Sequence, residues 1–441
     1  MSLRGLAGSV VVAGAMLVGA AVAPAAHAAT WCGGTPAAAD RMPDAVGGNQ
    51  YHVVYAVPSD GVDRFADRAS GIVSDLAFVD RWWRLQDATR TPRFDVLDVA
   101  CDSELGRLDL SSIRLALPAS AFVRPDTRTT QLRSALSLVA PNAGKAILVY
   151  YESPIPLDGD ICGQGGNGAA AAGAPGFAAV YIAPNLYGSP GCGTVGGADY
   201  MAIVAAHELV HSLGALPSGA PHPCPGDDGH PCDSQSDVLF SGGYCCLFDR
   251  QLDYGRDDYY GHSGAWWDTR NSLWLVHLDR PRFPLVVRLA GDVGESSVDS
   301  DVPGIACPTG CSVPYDADAA VTLTANAGIG RELVRWEGDC AGVNCTVQMG
   351  APRSVTAVFA RQKFRLAVVV RGKGLVSSQP RGLIACPRKC VTAFAYGTPV
   401  TLTARPAPHM RFAGWRGDCS GPGRCTVEED AQVTARFVRK K

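Results

Sequence analysis

The chain has 441 residues, of which 47% are hydrophobic and 18% charged, and its formal net charge is −3 at pH 7. That length suggests two to three domains, and the charge argues against a nucleic-acid partner. Sixteen cysteines, eight before residue 250 and eight after residue 300, fit an oxidising compartment where an even set pairs as disulfides.

At the N-terminus Arg4, an apolar run over residues 6–22, Pro24 and the small-residue site Ala26-His27-Ala28 read as a secretory signal peptide over residues 1–28, cleaved after Ala28. No later segment is apolar enough to span a bilayer, so the mature chain is expected to be secreted without a membrane span. Residues 29–282 are expected to form the first domain. Within it the pattern predicts a strand at 51–56, a long amphipathic helix at 62–85 and strands at 93–99 and 113–117. A helix at 129–139 and strands at 146–151 and 178–182 follow, giving a mixed sheet with helices packed on it. His52, alternating into an apolar strand, reads as structural. The Gly- and Ala-rich residues 163–175 read as a linker, or as a loop bordering a cleft.

Residues 199–213 are almost wholly apolar, yet they contain His207, Glu208 and His211. On a helix two histidines four apart share one face and can grip a single zinc ion, while the glutamate points to where a water would sit. A catalytic zinc usually takes three protein ligands. The candidates for the third are His222, Asp227, Asp228, His230, Asp233 and Asp237, in a stretch rich in Pro, Gly and Cys. The choice falls on His230, because a Cys224–Cys232 bridge and Pro231 would hold its imidazole, with His222 next.

His207-Glu208-x-x-His211-x-x-Gly214 resembles the metzincin branch of zinc peptidases. That resemblance implies an α+β zincin-like domain whose active-site helix ends at Gly214 in a left-handed turn, with Zn2+ as cofactor and Glu208 as general base. The family's third-ligand position falls on Pro217, which has no donor. Ser236 to Gly243 resembles the family's methionine turn, with Leu239 in the methionine's place and Tyr244, Tyr254, Tyr259 or Tyr260 as a substrate-side hydroxyl. His262 and His277 read as structural. The implied activity is hydrolysis of a protein or peptide substrate. The alternatives are an exported adhesive or binding protein with a degenerate zincin domain, and a zinc amidase acting on cell-wall peptides.

The C-terminal third is a tandem repeat: Cys307, Cys311, Trp336 and Cys340 recur as Cys386, Cys390, Trp415 and Cys419, each 79 residues on. The units, 283–361 and 362–441, read as small all-β modules pinned by local bridges Cys307–Cys311, Cys340–Cys345, Cys386–Cys390 and Cys419–Cys425, although pairing across loops stays open. The cysteine spacing, the Gly414-Trp415-x-Gly417-Asp418-Cys419 turn and the closing Val-Thr-Ala-x-Phe strand resemble the divergent internalin B-repeat type of exported bacterial proteins. This implies an adhesive or spacer role, cell-surface or polysaccharide contact and a β-grasp-like fold. Trp336 and Trp415 read as core anchors in preference to sugar platforms.

Overall fold

The computed structural model describes residues 35–98, 106–137, 145–153, 161–166, 173–182, 200–241, 249–340 and 344–440. The expected signal peptide, Tyr244 and the Cys245-Cys246 pair lie outside them. Eight strands build the N-terminal part: β1 (Thr35–Ala37), β2 (Tyr51–Val57), β3 (Arg90–Pro92), β4 (Val96–Asp98), β5 (Arg107–Arg114), β6 (Ala146–Tyr151), β7 (Gly163–Gly165) and β8 (Phe177–Tyr181). Seven of them form one sheet in the order β1-β5-β2-β6-β8-β7, with β4 paired to β5. The central pairs β5/β2, β2/β6 and β6/β8 are parallel, and β7 runs antiparallel on β8. Parallel strands covered on both faces carry continuous apolar runs, as in β2 and β8, where every residue is buried.

Among the described residues three α-helices supply the cover: α1 (Phe65–Gln86), α2 (Pro125–Ser137) and α3 (Tyr200–Ser212). Ile72, Leu76 and Val79 of α1 and Val204, Leu209 and Val210 of α3 share a core with Val53, Tyr55 and Leu148 on one sheet face. Leu132 and Leu136 of α2 pack with Val54, Ala56 and Val149 on the other. The strand expected at 113–117 overlaps only the last two residues of β5, which begins at Arg107 and whose polar residues disguise it. Its Asp109 is buried by Arg41 at 2.6 Å and its Ser111 by His52 Nε2 at 2.8 Å. Of the strand expected at 93–99 only β4 (Val96–Asp98) forms among the described residues, because Arg93 and Asp95, before it, turn into buried polar contacts. Asp95 accepts from Lys145 Nζ at 2.6 Å and lies 2.8 Å from His52 Nδ1. His52 is therefore part of a buried ionic cluster that ties the sheet to Asp40 and Asp44, each within 2.9 Å of Lys145 Nζ.

After α3 comes a hairpin of β9 (Pro223–Cys224) and β10 (Asp227–Pro231), closed by the Cys224–Cys232 disulfide, and then β11 (Leu275–His277), which pairs with β3. From Arg282 onward the described residues are strands and turns alone. Each unit has two four-stranded sheets whose inner faces share one core: Leu285, Val287, Val355 and Phe359 meet Val298, Val321 and Val347 in the first, and Leu366, Val368 and Val433 meet Val376, Val400 and Val427 in the second. This corrects the β-grasp expectation, since a β-grasp packs a helix on its sheet and none is present here among the described residues. All four local bridges form as expected. Trp336 and Trp415, 4% and 3% exposed, anchor the two cores. Among the described residues five disulfides fit an extracellular protein, and no helix is long and apolar enough to cross a membrane.

The first unit is tied to the N-terminal sheet. The Gly47 and Gly48 amides donate to Pro314 and Pro303 carbonyls at 2.9 Å. A Cβ at Gly47 would stand 2.3 Å from Tyr315 Cε1, so only glycine lets that ring close on the backbone. Arg93, 6% exposed, donates to the Gly47 carbonyl at 3.0 Å and pairs with Asp316, which also accepts from Arg282 at 2.9 Å. Arg93→Ala leaves Asp316 partly uncompensated, and breaking such a pair costs about 3 kcal/mol. Calorimetry on the full chain should show a clearly lowered melting temperature. An unchanged one would mean that this contact does not stabilise the fold.

Candidate metal centre

Helix α3 carries His207, Glu208 and His211, each 5% exposed. Its apolar residues bury it under the sheet, so these polar groups can be tolerated only with partners. Gly214 ends the helix at φ 88°, as the motif implies, and its amide donates to the His211 carbonyl at 2.9 Å. Trp267 Nε1 caps the Leu213 carbonyl at 2.9 Å, and the Tyr51 hydroxyl of β2 lies 2.7 Å from Ser212 Oγ. The helix end is thus fixed from two sides.

The β9–β10 hairpin brings His230 onto this face. The Nε2 atoms of His207 and His230 lie 3.1 Å apart, those of His207 and His211 3.1 Å apart, and those of His211 and His230 3.3 Å apart. His207 Nδ1 faces the Val238 carbonyl at 2.8 Å and His230 Nδ1 faces the Asp227 carboxylate at 2.8 Å. Those oxygens only accept, so each Nδ1 carries the proton and each Nε2 presents a lone pair. Burial pushes the pKa of His207 down to about 3 and that of His211 well below its ordinary value, with the neighbouring imidazoles adding to the effect. The lone pairs of His207 and His230, facing one another at 3.1 Å, repel unless a cation lies between them. Three corners of a tetrahedron about 2.05 Å from a zinc ion would stand about 3.3 Å apart, close to the observed triangle. The donor set therefore fits a metal ion.

Glu208 is also buried, which drives its pKa well above the ordinary carboxylate value, against the lowering effect of a hydrogen bond from the Gly165 backbone. This bond comes from β7, the sheet edge that the sequence pattern suggested as a linker. A Cβ at Gly163 would lie 2.5 Å from Glu208 Cγ, and one at Gly165 would lie 2.4 Å from His211 Cβ. The two glycines let the strand backbone press directly on the motif. Their signal in the sequence is the absence of side chains, which no periodicity reveals.

Of the other candidates, Asp227 holds His230 in place, while His222 and Asp237 have partners of their own. His222 turns to Asp258, its Nδ1 3.2 Å from that carboxylate. Asp237 is buried and scaffolds the turn below the site, accepting from the Leu239 amide, the Tyr254 amide and the Tyr259 hydroxyl at 2.7 to 2.8 Å. Leu239 is fully buried in the core. Tyr260 is committed to Asp87 at 3.0 Å, and His262 stacks on Trp266 with ring centroids 4.8 Å apart. Among the described residues two further groups of possible ligands occur: Asp40, His52, Asp95 and Asp109, already met by Lys145 and Arg41, and His222, Asp233, Asp257 and Asp258.

A sequence model of the divergent InlB B-repeat domain matches residues 305–363 and 380–441. No curated protein matches the chain. Among solved structures, archaemetzincin from Methanopyrus kandleri is 14% identical over 46% of this chain and 87% of its own, with a TM-score of 0.24. OgpA from Akkermansia muciniphila is 12% identical over 91% and 98%, with a TM-score of 0.27. The TIE protein of Bacillus anthracis is 12% identical over 37% and 35%, with a TM-score of 0.23. Likenesses at such scores do not establish a shared fold.

Proposed function

We propose that residues 29–282 form a secreted zinc-dependent endopeptidase, with His207, His211 and His230 holding the ion and Glu208 as general base, followed by two β modules at 283–361 and 362–441. The observation that carries this reading is the triangle of three Nε2 atoms beside a buried carboxylate on the same helix. Zinc held there supplies Lewis acidity toward a scissile carbonyl and toward water. Glu208 removes a proton from the attacking water and delivers it to the departing amine. The Gly165 amide orients the carboxylate, and β7, paired with β8 alone among the described strands, offers its outer edge to an extended peptide. Asp227 and the Val238 carbonyl hold two imidazoles in the tautomer that points Nε2 inward.

The test is cleavage of a peptide library by the purified chain before and after chelation. Internal peptide bonds should be cut, cutting should stop when the metal is removed, and one equivalent of zinc should restore it. Cleavage indifferent to chelation would overturn the reading, and a zinc-loaded chain that cuts nothing would favour the binding-protein alternative.

A further inference from the structure

The whole-chain charge conceals a steep division. Residues 362–441 contain fifteen Lys and Arg against four Asp and Glu, a net charge of +11, whereas residues 283–361 contain five against nine, a net charge of −4. The two units share one strand arrangement, so the difference lies in their surfaces. In the first unit Arg331, Arg335, Arg353 and Arg361 are each paired with a carboxylate of that unit. In the second, every described Lys and Arg is exposed, and among the described residues none has a carboxylate partner within ion-pair distance.

Register places much of this charge on one sheet face. Arg371 sits beside Arg436 on adjacent strands, and Arg411 and Arg416 stand opposite Val438 and Thr434 on the next pairing. Arg365 lies on the same face, since Leu366 and Val368 point into the core and the alternation of the strand sends Arg365 outward. Thr434 and Gln432 share that face, and the carboxylates beside it, Asp430 and Asp418, accept from the backbone amides of Arg365 and Gln432 and not from the arginine side chains. The corresponding positions in the first unit, opposite Ala360 and Thr356, are Glu332 and Glu337, so the charge at two structurally equivalent sites is reversed.

We infer that this outer face of the second unit, through Arg365, Arg371, Arg411, Arg416 and Arg436, binds an anionic cell-surface polysaccharide. Arginine forks match carboxylate and phosphate groups in two-point contacts. Thr434 and Gln432 between them suit the hydroxyls of a sugar chain. Strands about 4.8 Å apart spread the cations over a flat surface that suits a linear polymer. Large exposed aromatics, which would stack nucleic-acid bases or enter a lipid surface, are absent from this face. The five disulfides among the described residues fit an extracellular chain, which would meet such polysaccharides. The inference does not depend on the hydrolase reading.

The full chain should be tested for binding to immobilised polygalacturonate, with uncharged dextran, duplex DNA and phosphatidylglycerol vesicles as the other arms. Polygalacturonate should be bound in preference, more weakly as salt rises, and R411E/R416E should weaken binding at least tenfold. The first unit tolerates Glu at both positions, so the variant should fold; R365Q/R371Q gives a second readout if it does not. E332Q/E337Q should leave binding unchanged. The inference is overturned if the parent ignores polygalacturonate, if it prefers DNA or vesicles, or if the arginine variants bind as the parent does.

Discussion

Glu208→Gln should lower peptide hydrolysis by about 10²–10⁴-fold, the range general-base removal typically costs, while leaving the fold and the metal content as they are. The two side chains are isosteric, and the amide oxygen of Gln can still accept from the Gly165 backbone in the narrow gap beneath β7. What is lost is the capacity to take a proton from water. The comparison is kcat and metal per chain for parent and variant purified side by side. A variant that cuts at the parent's rate would show that Glu208 is not the base, whatever the metal does.

His230→Ala should remove the ion as well as the activity. His230 supplies one corner of the triangle, and without it His207 and His211 remain on one helix face as two donors, fewer than the three that catalytic zinc sites usually have. The loss in affinity should exceed the about 10–100-fold that follows from disturbing a residue that only orients a ligand. His222→Ala is the informative control. His222 lies on the same segment but turns to Asp258, so its loss should leave bound zinc and turnover nearly unchanged. If His222→Ala releases the metal and His230→Ala does not, the assignment of the third ligand is wrong.

Much of this arrangement is legible in the chain itself because burial and chemistry coincide. Strands β6 and β8 announce themselves as unbroken apolar runs, β2 as one broken only by His52, and α3 as an apolar segment interrupted by the histidine and glutamate pattern. The hairpin that presents His230 could be anticipated because two cysteines bracket it. Legibility fails where a residue's environment comes from far along the chain. Asp109 and Ser111 hide the first part of β5 until Arg41 and His52 arrive to satisfy them. Gly163 and Gly165 read as a linker or a loop bordering a cleft, and not as a strand, because the strand's role is to carry no side chain against Glu208 and His211. The net charge of the whole chain likewise averages away the basic surface of the last unit.

Metal analysis of the purified, undamaged protein, joined to X-ray absorption at the zinc edge, tests the central claim most directly. One zinc per chain, bound by three imidazole nitrogens and lost on His230→Ala, is the expected result. A chain that stays metal-free in the presence of excess zinc, or a zinc ion whose absorption spectrum shows sulfur or carboxylate ligands in place of the three imidazoles, would contradict it.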